Sequence, residues 1–152
     1  MTCWEIFAPA DAYTETDKGE LSAAITSIYA DYAGLPEFYV VVIFQKQPTD
    51  TIYVGGKTAD NFVFIRVDHF ARQLDIPEAR AACMAVIEEK LAPFVKDRGF
   101  DWVVHIDETP MDLWRIQGLV PPLPESDMEK IWAKENRPIP DEIASRPPTR
   151  LS

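Results

Sequence analysis

The sequence predicts an α+β fold in which a β-α-β unit occurs twice, giving a mixed four-stranded sheet with two helices on one face. Apolar runs of strand length alternate with stretches of helical periodicity, and this order repeats at an offset of roughly 60 residues. Hydrophobic residues make up 47% of the 152-residue chain, which is enough for a packed core. We predict one domain over residues 1–140, with units at 1–58 and 59–120.

The first unit is predicted to be strand, helix and strand. The apolar run Cys3–Phe7 is short and typical of an amino-terminal strand. Thr14 and Asp17 have the spacing of a capping box, with Asp in the acidic position. Apolar residues at helical spacing continue to Gly34, which ends the helix. The run Phe38–Phe44 is β-branched and aromatic throughout, which is typical of a strand buried on both faces of a parallel sheet.

An edge hairpin or a short excursion from the sheet is predicted next, because Ile52–Val54 is strand-like and Gly55-Gly56 favours a turn. The second unit then repeats the order of the first, with a strand at Phe62–Val67, a helix from Pro77 to Gly99 kinked at Pro93, and a strand at Phe100–Ile106. Since both helices lie on one face, we expect another copy of the chain to cover the opposite face.

Proline becomes frequent beyond Thr109, and only Ser126–Glu135 is predicted to form a helix there. We expect this carboxy-terminal extension to lie across a neighbouring subunit. Residues 141–152 are predicted to be a flexible tail.

Charge and composition exclude several classes of function. Fifteen Lys and Arg against 25 Asp and Glu give a net charge of −10, which disfavours nucleic acid and anionic lipid as partners. No apolar run approaches the ~20 residues of a membrane helix, and no targeting segment is evident, so we expect a cytoplasmic protein. The two cysteines lack metal-ligand spacing and are expected to be core residues.

A candidate anion site lies where the third long strand ends. Arg66, His69 and Arg72 fall within seven positions, and an arginine fork binds a carboxylate through two hydrogen bonds. The alternative is a surface turn in which Asp68 and Asp75 neutralise the two arginines.

Two further side chains are candidates for proton transfer. His105 comes late in its strand, and open α/β sheets bind ligands at the carboxyl ends of parallel strands. Tyr29 is on the apolar face of the first helix, where a core tyrosine is the alternative. The acidic cluster of Asp107, Glu108 and Asp112 precedes a proline-bounded loop and is not joined by a ligand triad of suitable spacing, so no metal site is predicted.

Several separated segments, together with the repeat, resemble the tautomerase superfamily over residues 2–140. The nearest branch is the one similar to cis-3-chloroacrylic acid dehalogenase. The segments are Phe38–Phe44, Tyr53–Gly56, Val67–Arg72 and Asp112–Pro122.

The resemblance implies a homotrimer that works by general acid–base chemistry without a cofactor or metal. In the family an amino-terminal proline, freed by loss of the initiator methionine, is the base, and burial beside cations lowers the pKa of its amine. Arginines bind the substrate carboxylate. In the dehalogenase a tyrosine, a histidine and a glutamate activate water.

Carried over by position, the family's catalytic set is altered here. Thr2 takes the place of the proline, Tyr29 that of the helix histidine, and His105 that of the strand tyrosine. Ile116 takes the place of the water-activating glutamate and accepts no proton, so hydrolytic dehalogenation is not expected. The amine of Thr2 titrates near pH 8 only if Met1 is removed.

The substrate-binding set is retained in part. Arg72 matches the second family arginine and His69 matches the histidine before the pair, but Phe70 takes the place of the first arginine. Arg66 and Arg115 are the possible substitutes. Trp114 lines either the substrate pocket or the trimer core.

Two functions remain open from the sequence. The first is an isomerase, hydratase or decarboxylase acting on a small 2-oxo or unsaturated carboxylate, weakened by the loss of the proline. The second is a trimeric binding or scaffold protein that keeps the fold without catalysis.

Overall fold

The computed structural model describes residues 1–69 and 73–141. Its strands are β1 (Thr2–Pro9), β2 (Val40–Gln47), β3 (Tyr53–Val54), β4 (Lys57–Thr58), β5 (Phe62–His69) and β6 (Asp101–Glu108). Its α-helices are α1 (Glu15–Ala33), α2 (Pro77–Leu91) and α3 (Asp127–Glu135).

The main sheet has four strands in the order β2-β1-β5-β6. Strand β1 is parallel to β2, and β5 is parallel to β6, as expected when a helix joins the strands of each pair. The two units meet through β1 and β5, which are antiparallel. The predicted mixed sheet built from a doubled β-α-β unit is therefore confirmed. Strands β3 and β4 form the predicted hairpin.

Local signals fixed the helix ends. In α1 the Thr14 side chain accepts from the backbone N–H of Asp17, whose carboxylate accepts from the N–H of Thr14, so the capping box is complete. Gly34 ends the helix at φ 63°, a left-handed conformation that glycine adopts readily. The prediction that the second helix runs from Pro77 to Gly99 is wrong. Helix α2 ends at Leu91, and short 3₁₀ turns at Ala92–Phe94 and Lys96–Arg98 lead to Gly99, because Pro93 donates no backbone hydrogen bond to continue the α-helix.

The sheet has one covered face and one open face. Alternate residues of β1 and β5 are fully buried beneath α1 and α2, among them Trp4, Ile6 and Ile65. The other residues of each strand point away from the helices. We call these two sides the helix face and the open face.

The prediction that β2 is buried on both faces is wrong. This strand lies at an edge of the sheet, and its residues alternate between partly buried and exposed along most of its length. On the open face its Val41 and Ile43 are 37% and 40% exposed. Within residues 1–69 and 73–141 no second layer of helices covers this apolar run.

The extension folds back on its own chain. Trp132 of α3 is buried against the rings of Phe38 and Tyr39, and its indole N–H donates to the Ile139 carbonyl at 3.0 Å. The backbone N–H of Phe38 donates to the Asn136 side chain at 3.0 Å. The predicted tail lies outside the described residues apart from Asp141. Within the described ranges no helix is long and apolar enough to cross a membrane.

Candidate functional site

The start of the chain and the end of the third long strand are neighbours. Thr2, the first residue of β1, pairs with His69, the last residue of β5, in the antiparallel register. Both side chains lie on the helix face and both are buried, with His69 only 3% exposed. Two residues 67 positions apart in the sequence therefore share one site.

Tyr29 of α1 joins this site through its hydroxyl. Its oxygen accepts a hydrogen bond from the Thr2 hydroxyl at 3.3 Å and another from the Trp4 indole N–H at 3.1 Å. Burial raises the pKa of Tyr29 to about 12, while the two donated hydrogen bonds oppose that rise. At neutral pH Tyr29 is thus a phenol that can donate a proton but cannot accept one as a base.

His69 is a buried imidazole with unused hydrogen-bonding capacity. Its ring meets the ring of Tyr29 edge to face, with centroids 6.4 Å apart. Neither ring nitrogen has a hydrogen-bond partner among the described residues. The nearest carboxylate is that of Glu108, with Oε2 3.6 Å from Nε2.

The environment favours neutral His69. Burial lowers the pKa of its imidazole, the charge of Glu108 opposes that shift, and the amino-terminal ammonium adds to the lowering. Burial is the largest of these effects, so His69 is uncharged at pH 7 and its free nitrogen can act as a base.

A cavity of about 250 Å³ opens beside these groups, between α1 and α2. Its wall is mostly aliphatic, and its polar side chains are Tyr29, Tyr32, His69 and Cys83. No Lys or Arg of the described residues lines it. Burial raises the pKa of the Cys83 thiol, which keeps it protonated. A ligand in this cavity would contact a base, a phenol and an apolar wall.

Two predicted site residues lie on the other side of the sheet. His105 stacks edge to face on Phe64, with centroids 5.6 Å apart, and Arg66 pairs with Glu5 at 2.8 Å. Both belong to the open face, so within one chain the sheet separates them from Thr2 and Tyr29. The proposed Arg66 partner Asp68 is replaced by Glu5, its neighbour across the strands.

The extension holds the remaining candidates. The Arg115 guanidinium donates to the backbone carbonyls of Asp112 and Trp114, at 3.1 and 2.7 Å. Trp114 is partly buried and packs against the core, and Ile116 is buried within it. Arg72 lies outside the described residues. In the described parts of the chain no three His, Cys, Asp or Glu side chains gather as metal ligands.

Sequence reasoning missed two members of the site. Trp4 is predicted from the sequence only as part of the first strand, and it is the packing of α1 on β1 that brings its indole N–H to the Tyr29 hydroxyl. Glu108 was treated as part of an acidic cluster, although it is paired with His69 in the β5–β6 register. Strand alternation could have revealed Glu108. It lies six residues after Trp102, so both side chains are on the helix face of β6, the same face as His69.

Comparison with protein families identifies the class of protein. The family described as "Putative oxalocrotonate tautomerase enzyme" matches residues 1–137. The chain belongs to this family, and the predicted tautomerase resemblance is confirmed. No curated protein matches it.

Solved structures agree with this assignment. RhCC from Rhodococcus jostii RHA1 is 68% identical and has a TM-score of 0.90, covering 91% of this chain and 99% of RhCC. A probable enzyme from the thermophilic fungus Aspergillus fumigatus is 38% identical with a TM-score of 0.87, covering 93% of this chain and 98% of its own.

The dehalogenase branch shares the fold. N1, a member of the cis-3-chloroacrylic acid dehalogenase (cis-CaaD) family, has a TM-score of 0.71 at 18% identity, covering 88% of this chain and 97% of N1.

Proposed function

We propose that this chain is an enzyme that moves a proton on a small 2-oxo or unsaturated carboxylate, by isomerisation, hydration or decarboxylation. One observation carries the proposal: a neutral buried imidazole and a buried phenol stand side by side at the wall of a cavity. That pair supplies one group that accepts a proton and one that donates it.

In the isomerisation, His69 removes a proton from the carbon next to the carbonyl. The electron pair of the broken C–H bond forms the C=C bond of an enol, and the carbonyl oxygen takes a proton from Tyr29. The hydrogen bonds from Thr2 and Trp4 then stabilise the charge that develops on the phenol oxygen. An enol becomes its ketone when His69 accepts the enol O–H proton and Tyr29 donates a proton to the carbon. In either direction a proton then passes from the His69 imidazolium to the Tyr29 phenolate, which restores the neutral pair. Only protons are exchanged, so the reaction needs no cofactor.

Arg72 is the proposed carboxylate-binding residue. It follows His69 by three positions in the sequence, and no described cation lines the cavity. Arg66 and Arg115 are weaker candidates, because one is paired with Glu5 and the other with its own backbone. Removing Arg72 should raise KM for a carboxylate substrate more than for its uncharged ester.

The amino terminus is a second possible base. If Met1 is absent in the native host, the amine of Thr2 lies next to His69 in the sheet register and is an amine that accepts a proton once it is deprotonated. Intact-mass measurement on native material establishes which end is present. If Thr2→Pro increases turnover, the proline is the missing group and the rest of the site is intact.

A trimer is the proposed assembly, with the open faces of three chains packed together. Four aliphatic and aromatic residues there are more than a third exposed: Val41, Ile43, Phe64 and Val103. A fused 4-OT with a related fold was solved as an asymmetric trimer. Three-fold packing would bring His105 and Arg66 of each chain to the interface. Water-soluble proteins seldom leave such a patch uncovered.

The test measures the rate at which purified protein converts phenylenolpyruvate to its ketone, with proton NMR used to monitor the reaction. We expect His69→Ala to lower the enzymatic rate at least 100-fold, since general-base catalysis contributes about 10²–10⁴-fold. His105→Ala is the comparison, because it removes the other histidine on the opposite face. If the enzymatic rate falls in His105→Ala but not in His69→Ala, the chemistry belongs to the open face and the proposal is contradicted.

A binding protein without catalysis is the second candidate. It is favoured by the apolar cavity wall, which lacks a described cation, and by Ile116 in the glutamate position. It predicts that wild-type protein and Thr2→Pro both leave the enol unchanged while apolar carboxylates still raise the melting temperature.

A further inference from the structure

Glu108 stands at a position that the proposed reaction has not used. It is the last residue of β6 and pairs with His69 in the parallel register. Its Oε2 accepts the backbone N–H of Leu74 at 2.9 Å and lies 3.6 Å from His69 Nε2. Both Leu74 and His69 line the cavity, so one carboxylate oxygen touches two parts of its wall.

The imidazole has a choice of tautomer that this carboxylate can decide. His69 is 97% buried, since only 3% of it is exposed, and both nitrogens lack another partner among the described residues. Nε2 is the nitrogen within reach of an acceptor. A neutral imidazole places its proton on the nitrogen that faces an acceptor and its lone pair on the other.

Resting on the proposed function, we propose that Glu108 is a positioning residue, which holds His69 protonated on Nε2 and so makes Nδ1 the base. The contact at 3.6 Å is longer than a hydrogen bond, and it closes to one when a ligand fills the cavity, as catalytic contacts commonly do. The Leu74 bond fixes the carboxylate in place for this purpose. Glu108 plays the part of the third group that orients a general base.

Glu108 also sets the charge balance around the imidazole. Among the described residues, the titratable groups that face His69 are the Glu108 carboxylate from β6, the Tyr29 phenol from α1, the Cys83 thiol from α2 and the terminal ammonium beside β1. Of these, Glu108 is the one anion, because burial keeps Tyr29 and Cys83 protonated. Removing its charge therefore lowers the pKa of His69.

The experiment distinguishes the effect of the negative charge of Glu108 from the effect of its hydrogen-bond acceptor. Glu108→Gln keeps an oxygen acceptor and removes the charge, whereas Glu108→Ala removes both. Asp107→Asn is the matched control, because Asp107 is the adjacent residue on the open face and its carboxylate is near His105. The ¹⁵N shifts of the imidazole report the tautomer, and a pH titration of the same signals reports the pKa. The chain has two histidines, so His105→Ala assigns them.

We expect the wild-type imidazole to be protonated on Nε2. The pKa of His69 should fall in both Glu108 variants, and the Nε2 tautomer should be lost in Glu108→Ala alone. In the kinetic assay the acid limb of kcat should move to lower pH, and kcat should fall roughly 10-fold in Glu108→Ala with KM little changed. Asp107→Asn should change none of these.

Two results would overturn the inference: a wild-type imidazole protonated on Nδ1, or a His69 pKa that does not fall in Glu108→Gln. The NMR readouts need no turnover, so they decide the role of Glu108 even if the proposed function fails. If wild-type protein is inactive while the tautomer and the pKa behave as expected, the proposed function is wrong and the positioning contact stands.

Discussion

Burial turns two ordinary side chains into a matched acid and base. A histidine in water is partly protonated near neutral pH, and a tyrosine titrates near 10. Here burial lowers the pKa of His69 and raises that of Tyr29 to about 12. Each group is therefore neutral at pH 7. The base is free of its proton and the acid retains it, which is the state that proton transfer in either direction requires.

The Tyr29 hydroxyl also contributes to stability. In Tyr29→Phe the Trp4 indole N–H and the Thr2 hydroxyl lose their acceptor while they stay buried. We expect the free energy of unfolding to fall by about 1–3 kcal/mol, together with loss of enol turnover. Urea denaturation measures the first effect. Tyr32→Phe, on the same helix and 64% exposed, should change stability by less than about 0.5 kcal/mol; an equal loss there would contradict this account.

At the level of elements, α1 is tied to the second unit by its first turn. Asp17 accepts the Thr14 N–H of the capping box and two hydrogen bonds from Arg98, at 2.9 and 3.1 Å. Arg98 also lies over the ring of Tyr13. One carboxylate therefore caps its own helix and bonds to the turn that follows α2.

This arrangement predicts an acid-sensitive contribution to stability. The hydrogen bond from Arg98, followed by the bond from the Thr14 N–H, holds the pKa of Asp17 well below its usual range. A lowered folded-state pKa stabilises the fold above the unfolded value of about 3.9, and that contribution is lost as the pH falls toward the folded value. Asp17→Asn should lower the melting temperature at pH 7, and its difference from wild type should shrink between pH 4 and pH 2.

Circular dichroism melts at several pH values measure this difference. Asp31→Asn is the control, since Asp31 is exposed on the same helix and should leave the melting temperature nearly unchanged. If the melting-temperature difference between wild type and Asp17→Asn stays constant from pH 7 to pH 2, the charge of Asp17 does not contribute to stability and this account is contradicted.

At the level of the whole molecule, the open face divides the candidate residues into two groups. Thr2, Tyr29 and His69 lie beneath the helices, while Arg66 and His105 lie on the open face. Aliphatic residues among the polar ones make that face suited to packing against further copies of the chain.

A charge placed on this face tests the assembly. Val103 lies on β6 and is 38% exposed, so Val103→Asp should leave the monomer folded and shift the proposed trimer toward monomer. Light scattering coupled to size exclusion measures the mass. Ile76→Asp, at an exposed position before α2, is the matched change outside the sheet. Equal masses for wild type and Val103→Asp would contradict packing through the open face.

The sequence by itself determined the elements and their order. The capping box of α1, the Gly34 stop and the repeated β-α-β pattern depend on residues that are close in the chain, and the structure confirms each of them. Family membership followed from the same local segments. Such signals survive in a sequence because helix caps and turns are made within a few positions.

Only the tertiary structure decided which side chains meet. Successive residues of a strand point to opposite faces, so His69 and His105 fall on different sides of one sheet, although both lie near the ends of parallel strands. Register decided that Arg66 meets Glu5 and that Glu108 stands beside His69. Burial, which sets the protonation of His69 and Tyr29, is a property of the packed core and exists only once the helices cover the sheet.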